Sequence, residues 1–243
     1  EPLAGSVLGE IAPQQAEPGV VTEFTYYLKP EDTSGFDRLA VESAAPVHFM
    51  SITRNGVELD VLMDTIPKGF FVDLPNRIRT DQLIELKFES SVFRQSTRFD
   101  VFLQDRNQGD SVRQRVDPGD ASDQIESNTN IVSLPVNRNL FANIALSSPV
   151  LTPNGDGIND EIQLSVDLVN VLEPRPLRLR LYDLAGRAVY NRSEDVRAGQ
   201  RQFNWDGNDD GGNRVAPGIY ILEILVEGDA ANERVQEIIS VVY

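Results

Sequence analysis

The chain has 243 residues, 40% of them hydrophobic, with 38 acidic against 22 basic side chains and a formal net charge of −16. That length suits two ordinary domains or one large one. The negative field makes nucleic acid and anionic membrane surfaces poor partners. The absence of cysteine removes disulfides, thiolate nucleophiles and thiolate-bound zinc, and a single histidine, His48, is too few for a multi-histidine metal site.

No apolar run approaches the roughly 20 residues of a membrane-spanning helix. The opening Glu1-Pro2-Leu3-Ala4-Gly5 lacks the charged and apolar regions of a signal peptide. The chain is therefore read as starting after processing or inside a longer protein. Residues 1–19, rich in Pro, Gly, Ala and Gln, read as an extended lead-in.

From Val20 the pattern becomes period-two and β-branched. Val21 to Leu28, Phe36 to Glu42 and Val47 to Thr53 read as strands. Arg54-Asn55-Gly56 reads as a hairpin turn into Val57 to Val61. Gly69 to Leu74, ended by Pro75, then Leu83 to Phe88 and Arg98 to Leu103 complete a run of strands about every ten residues. Residues 104–130 are a long polar stretch with a short edge strand expected near Val112 to Val116. Its acidic residues Asp105, Asp110, Asp117, Asp120 and Asp123 read as a solvated loop face. Ile131 to Leu134 and Leu140 to Leu146 return to β character, the latter closing the first domain or leading into the second.

In the C-terminal half Ile162, Leu164, Val166 and Leu168 alternate cleanly. Leu177, Leu179 and Leu181 alternate with Arg178, Arg180 and Tyr182, a half-buried strand with a basic outer face. Asp183 to Gly186 is a tight turn, and Gln200 to Trp205, Gly218 to Val226 and Arg234 to Val242 are further strands. The expected fold is all-β: two tandem immunoglobulin-like β-sandwiches, over 20–146 and 147–243.

Three motifs in this half, Leu181-Tyr182-Asp183-Leu184-Ala185-Gly186-Arg187, Trp205-Asp206-Gly207 and Val215-Ala216-Pro217-Gly218-Ile219-Tyr220, follow the string Pro153-Asn154-Gly155-Asp156-Gly157-Ile158-Asn159-Asp160. Together they resemble the immunoglobulin-like domain of the flagellar hook-capping protein and the gliding-motility-type C-terminal domains of exported bacterial proteins. The resemblance covers roughly 147–243. It implies an extracellular, cell-surface or periplasmic protein, and in some relatives recognition as cargo by the type IX secretion machinery. Residues 1–146 resemble no family securely. Read from the residues alone, the motifs are scaffold: a tight turn, a tryptophan capping a core, and the start of the most apolar strand.

The densest set of oxygen donors is Thr152 to Glu161. In the register of a calcium loop, Thr152, Asn154, Asp156, the Ile158 carbonyl and Asp160 occupy alternate ligand positions, with Gly157 at the turn. Gln163 falls where a bidentate Glu is usual, and Glu161 is the carboxylate that could substitute. The expectation is a calcium-stiffened joint between the sandwiches. The competing reading is a loop of Asx turns in which Asn154, Asp156 and Asn159 bond their own backbone. The similar string Asp206 to Asn213 reads as a solvated hairpin loop.

Catalytic motifs are scarce. His48 lies in an expected strand, and there is neither a Gly-x-Ser-x-Gly elbow nor a phosphate-binding Gly-x-x-x-x-Gly-Lys. The expected function is a non-enzymatic exported or envelope module that assembles with other surface proteins. The alternatives are a carbohydrate-binding or adhesion module, and the accessory C-terminal region of a secreted hydrolase. A flat aromatic platform would separate the first alternative. Of the adjacent pairs Tyr26-Tyr27 and Phe70-Phe71, one ring of each should be core and the other outward.

Overall fold

A computed structural model describes residues 3, 5–108, 112–135, 139–228 and 232–243. The chain divides into two compact units, Glu1–Val136 and Asn137–Tyr243. Both are built almost entirely of strands, as the alternating sequence demands. Among the described residues no helix is long and apolar enough to cross a membrane.

The strands of the first unit are Ser6–Ala12 (β1), Val21–Glu31 (β2), Phe36–Ser43 (β3), Val47–Arg54 (β4), Val57–Glu58 (β5), Leu62–Ile66 (β6), Gly69–Ile78 (β7), Ile84–Ser91 (β8), Ser96–Gln104 (β9), Arg113–Arg115 (β10), Asp117–Pro118 (β11) and Ile131–Ser133 (β12). One sheet has the order β11-β1-β2-β8-β4-β5. The other has β10-β9-β3-β7-β6, with β12 also paired to β9. Alternation places Phe24, Tyr26 and Leu28 of β2 and Leu86 and Phe88 of β8 in the core with Phe70 and Val72 of β7 and Phe99 and Val101 of β9. Phe99 packs on Phe24 at 5.5 Å and on Phe88 at 5.2 Å between ring centroids, so the aromatic cluster ties one sheet to the other.

Three features of this unit depart from the expected layout. Residues 1–19 are more than a lead-in, because β1 pairs with β2 along its whole length and buries Val7 and Ile11. Strand β6 went unread because it is an edge strand exposed along most of its length and so carries no hydrophobic alternation. Strand β7 continues through Pro75. The pairing of β3 with β7 shifts register between Phe36 and Arg38, and an irregularity of that kind is where a proline, which lacks a donor, is tolerated.

The strands of the second unit are Phe141–Leu146 (β13), Val150–Leu151 (β14), Ile162–Leu168 (β15), Arg175–Asp183 (β16), Ala188–Val196 (β17), Gly199–Trp205 (β18), Gly218–Glu227 (β19) and Asn232–Val241 (β20). They form a sheet β13-β15-β18 facing a sheet β14-β20-β19-β16-β17. Leu164, Val166, Leu179, Leu181, Leu222 and Ile224 are buried between them. Burying one such side chain contributes about 1.5–3 kcal/mol, so this unit holds a core of its own. The division between units falls earlier than the expected 146/147 boundary because β13 pairs with β15 inside the second unit.

Candidate functional site

The loop 152–161 is not a joint between the sandwiches. It lies inside the second unit and carries the chain from β14, in the five-stranded sheet, to β15, in the three-stranded one. A chain that changes sheet must leave one ladder before joining the next, so its backbone groups need partners of their own. The acidic string supplies them. The Asp160 carboxylate accepts the Gly155 and Gly157 N–H groups, one on each oxygen, both at 2.6 Å. Asn154 Oδ1 accepts the Asp156 N–H at 2.9 Å, and Asp156 Oδ1 accepts the Ile158 N–H at 2.8 Å. Gly155 (φ +84°) and Gly157 (φ +86°) take the left-handed conformation these bonds require. Asn159 also has positive φ, and its backbone carbonyl accepts the Thr152 N–H at 2.8 Å.

Four of the six expected calcium ligands bond one another in pairs. Thr152 Oγ1 donates to the Ile158 carbonyl at 2.9 Å, pairing two of them. Asn154 Nδ2 donates to Asp156 Oδ2 at 3.0 Å. Glu161 turns away from the loop to accept Asn204 Nδ2 on β18, and Gln163 Nε2 donates to Asn204 Oδ1 at 3.4 Å. Among the described residues no three acidic or histidine side chains form a group suited to a metal ion. The donor chemistry suits calcium, and the same oxygens here bond the backbone and one another. The Asp160 carboxyl is held below its usual range, first by the Gly155 and Gly157 N–H groups, then by the Asn154 N–H and last by the Arg214 charge.

Arg214 is the residue that sequence reasoning missed. It donates to the Pro153 carbonyl and stacks over the Tyr243 ring at 5.6 Å, while Tyr243 donates to the Val215 carbonyl at 2.6 Å. Leu151 beneath the loop is fully buried, and a Cβ added at Gly207 would lie 2.8 Å from its Cδ2. The 152–161 loop, the 206–216 segment and the C-terminus therefore close one end of the sandwich together. Nothing marked Arg214 in the sequence, because its partners are a distant carbonyl and a terminal ring.

The other motifs converge on the same unit. Asp183 Oδ1 accepts the Ala185 and Arg187 N–H groups at 3.0 and 2.9 Å, and Oδ2 accepts Arg187 Nε at 3.0 Å. The Arg187 N–H foremost holds the Asp183 carboxyl below its usual range. Trp205 is buried edge-on to Tyr220, and its indole N–H donates to the Asn208 carbonyl at 2.8 Å. Asp206 to Asn213 is the expected hairpin loop, closed by the antiparallel Asn208–Arg214 bridge and by the Asp209 N–H on the Asn213 carbonyl at 2.8 Å. It links β18 to β19, which belong to different sheets, and on the way Asp210 binds the open edge of β17. The Asp210 N–H donates to the Val189 carbonyl at 3.1 Å, and its carboxylate accepts the Asn191 N–H at 2.9 Å. A covered edge resists pairing with another chain. A cleft of about 440 Å³ lies between Asp183, Arg187, Asp209, Asp210, Arg214 and Tyr220.

In the first unit His48 is exposed on β4, opposite Glu89 of β8, and among the described residues its side chain has no hydrogen-bond partner. Asp117, Asp120 and Asp123 are exposed as expected, and Asp110 lies outside the described residues. Asp105 is the correction: it is buried, ion-paired to Arg77, and accepts Asn107 N–H and Gln108 Nε2 at 3.0 Å each. Burial pushes its pKa up, but these bonds and the Arg77 charge outweigh that and leave it lowered. The polar stretch is also pinned by Glu10, fully buried on β1, whose Oε1 accepts the Ala121 and Ser122 N–H groups at 2.9 and 2.7 Å.

Tyr26 and Phe70 are core and Tyr27 and Phe71 face outward, as the pleat requires. Phe71 does not offer a bare platform, because the Arg38 guanidinium sits 4.0 Å above its centroid. Arg113 covers Phe102 in the same way at 4.0 Å.

Residues 144–241 match the family model of the CHU_C type IX secretion signal domain. The resemblance of the C-terminal half to hook-capping and type IX domains therefore stands, and the matched span falls within the second unit. No curated protein matches the chain. Among solved structures the chain is similar to FlgD from Pseudomonas aeruginosa at 27% identity over 33% of this chain and 61% of that one, with a TM-score of 0.28. It is similar to dimeric latent PorU from Porphyromonas gingivalis at 10% identity, over 98% of this chain and 20% of that one (TM-score 0.35). It is similar to the major pilin SpaD from Corynebacterium diphtheriae at 12% identity, over 95% of this chain and 58% of that one (TM-score 0.35). The chain thus spans less than two thirds of each, and superpositions this loose carry no functional argument.

Proposed function

We propose that this chain is a non-enzymatic module exported to the bacterial cell surface or beyond, whose second unit is the signal read by type IX secretion machinery and whose first unit is the part presented to other surface proteins. The observation that carries this reading is the coincidence of the matched span, 144–241, with a unit that has its own core and its own closed end. A signal appended to varied cargo has to fold without help from the cargo.

Removing Asn137–Tyr243 in a bacterium with type IX secretion tests the reading. The truncated chain is expected to stay in the periplasm while the full chain reaches the surface or the medium. Export of the truncated chain would contradict it.

Calcium stiffening is the second reading of the 152–161 loop. In its favour, Asn154 and Asp156 are exposed and offer hard oxygens within a few residues of Asp160. Binding would have to replace or share the hydrogen bonds that these groups already make, and the unfolding midpoint with and without the ion decides between the readings.

A further inference from the structure

A cleft of about 790 Å³ opens at one end of the first sandwich, between the β3–β4 connection, the β6–β7 turn and the segment leading into β9. Its volume lies within the roughly 300–1,000 Å³ usual for small-ligand sites. Small residues, Ala44, Ala45 and Gly69, leave the space open. A Cβ on Gly69 would sit 1.8 Å from the Val41 carbonyl oxygen, so this wall admits no larger residue without moving.

The cleft is lined by Lys68, Arg94 and Arg98. In a chain with 38 acidic and 22 basic side chains, a cation usually finds a carboxylate. Several cations of this unit do so: Arg38 pairs with Asp73, Arg77 with Asp105, Arg106 with Asp37 and Lys87 with Glu23, whereas Lys29, Arg54 and Arg79, scattered outside the cleft, have no such pair among the described residues. Among the described residues, none of the three cleft cations meets a carboxylate. The two carboxylates that do line the cleft are already taken, Glu42 by Arg113 at 2.8 Å and Asp100 by Arg115 at 2.6 Å. The cleft therefore carries a positive excess on an otherwise acidic surface. The hydroxyls of Thr65 and Ser96 also line it, and among the described residues neither has a protein partner. The His48 imidazole lines it too, but among the described residues no Phe, Tyr or Trp does.

We propose that this cleft binds an anionic saccharide, a chain of hydroxylated rings bearing carboxylate or sulfate groups. The three cations would meet its charges, and Thr65 and Ser96 its ring hydroxyls. Recognition would be by charge and hydrogen bonding, since the outward rings Phe71 and Phe102 are covered by arginine and, among the described residues, no Phe, Tyr or Trp lines the cleft. An acidic peptide would share the charge, and Pro46, Val47, Ile66 and Pro67 also give the lining apolar ground, so binding of such a peptide is the outcome that the test below sets against the saccharide. The proposal concerns the first unit and does not depend on the second acting as an export signal.

The test is titration of the full chain with four probes: an oligogalacturonate, a heparin-derived hexasaccharide, a neutral hexasaccharide and a hexaglutamate peptide. Binding of the carboxylated probe, the sulfated probe or both is expected, weakening with salt, and which of them binds names the anion. The variant Lys68→Gln/Arg94→Gln/Arg98→Gln should lose about tenfold or more in affinity. Lys29→Gln/Arg54→Gln/Arg79→Gln, with the same change in charge at positions outside the cleft, should match the unmodified chain. Amide shifts at Gly69 and Ser96 in the unmodified chain locate the ligand without any mutation. Failure of both anionic saccharides to bind, equal weakening in the two triple variants, or hexaglutamate binding as tightly as the saccharides would overturn the proposal.

Discussion

The Asp160 carboxylate accepts the N–H of Gly157, three residues before it in the chain, at 2.6 Å, while its other oxygen takes the N–H of Gly155. A single side chain thus fixes two backbone donors in the crossing between sheets. An amide cannot do this, because its nitrogen would face an N–H. Asp160→Asn is therefore expected to lower the unfolding midpoint of the second unit and to speed amide exchange at Gly155 and Gly157. Unchanged exchange at both glycines would show that the loop is held by something else.

The same bonds set a pH dependence. The folded-state pKa values of Asp160 and Asp183 are depressed, so their stabilisation is complete above the unfolded value of about 3.9 and drains away as pH falls through the lower folded values. The midpoint of the second unit should be flat with respect to these groups from neutrality down to about pH 5 and fall below about pH 4. Asp160→Asn should remove part of that acid limb. An equally steep limb in the variant would assign the dependence to other groups.

Adding calcium is expected to leave that midpoint unchanged, and a chelator likewise, because Thr152, Asn154, Asp156 and Asp160 already satisfy one another and the backbone. A rise of several degrees with calcium would establish the metal reading, since a ligand bound only by the folded state raises its midpoint.

Glu10→Ala would leave the Ala121 and Ser122 N–H groups buried without their acceptor. A buried unsatisfied group costs about 1–3 kcal/mol, so the first unit should lose stability, offset in part by removal of Glu10 Oε2, which is itself buried without a partner. Amide exchange should rise over 119–125 while the second unit keeps its stability. A loss spread evenly over both units would contradict their division at residue 136.

Gly207→Ala combines two penalties. The φ of +84° is unfavourable for any residue with a Cβ, and the new atom would press on Leu151 at 2.8 Å. Strain of this kind costs of order 1–3 kcal/mol, which thermal unfolding of the second unit should register in full. A neutral outcome would mean that Leu151 is not tightly seated.

The period-two alternation made both cores legible, down to which ring of Tyr26-Tyr27 and Phe70-Phe71 turns inward. Asn55-Gly56, with φ of +48° and +74°, forms the hairpin turn that its dipeptide announces. The resemblance over 147–243 rested on four short strings, and these cluster in the second unit. What escaped reading had no local signal. Strand β6 is exposed and does not alternate, β7 passes through a proline at an irregularity, and β1 hides in a composition typical of linkers. Asp105 reads as one more acid in a polar stretch, and only the fold brings Arg77 to it. In the 152–161 loop the oxygens recur at alternate positions, but spacing alone does not say whether they turn to a metal or to the backbone between them.

The central claim is that the second unit suffices as an export signal. Its most direct measurement is to fuse Asn137–Tyr243 to the C-terminus of a periplasmic reporter in a bacterium with type IX secretion and to assay reporter outside the cell. Release or surface attachment is expected, dependent on the secretion machinery and weakened by Asp160→Asn. Full retention of the reporter in the periplasm, with the fused unit folded, would contradict the claim.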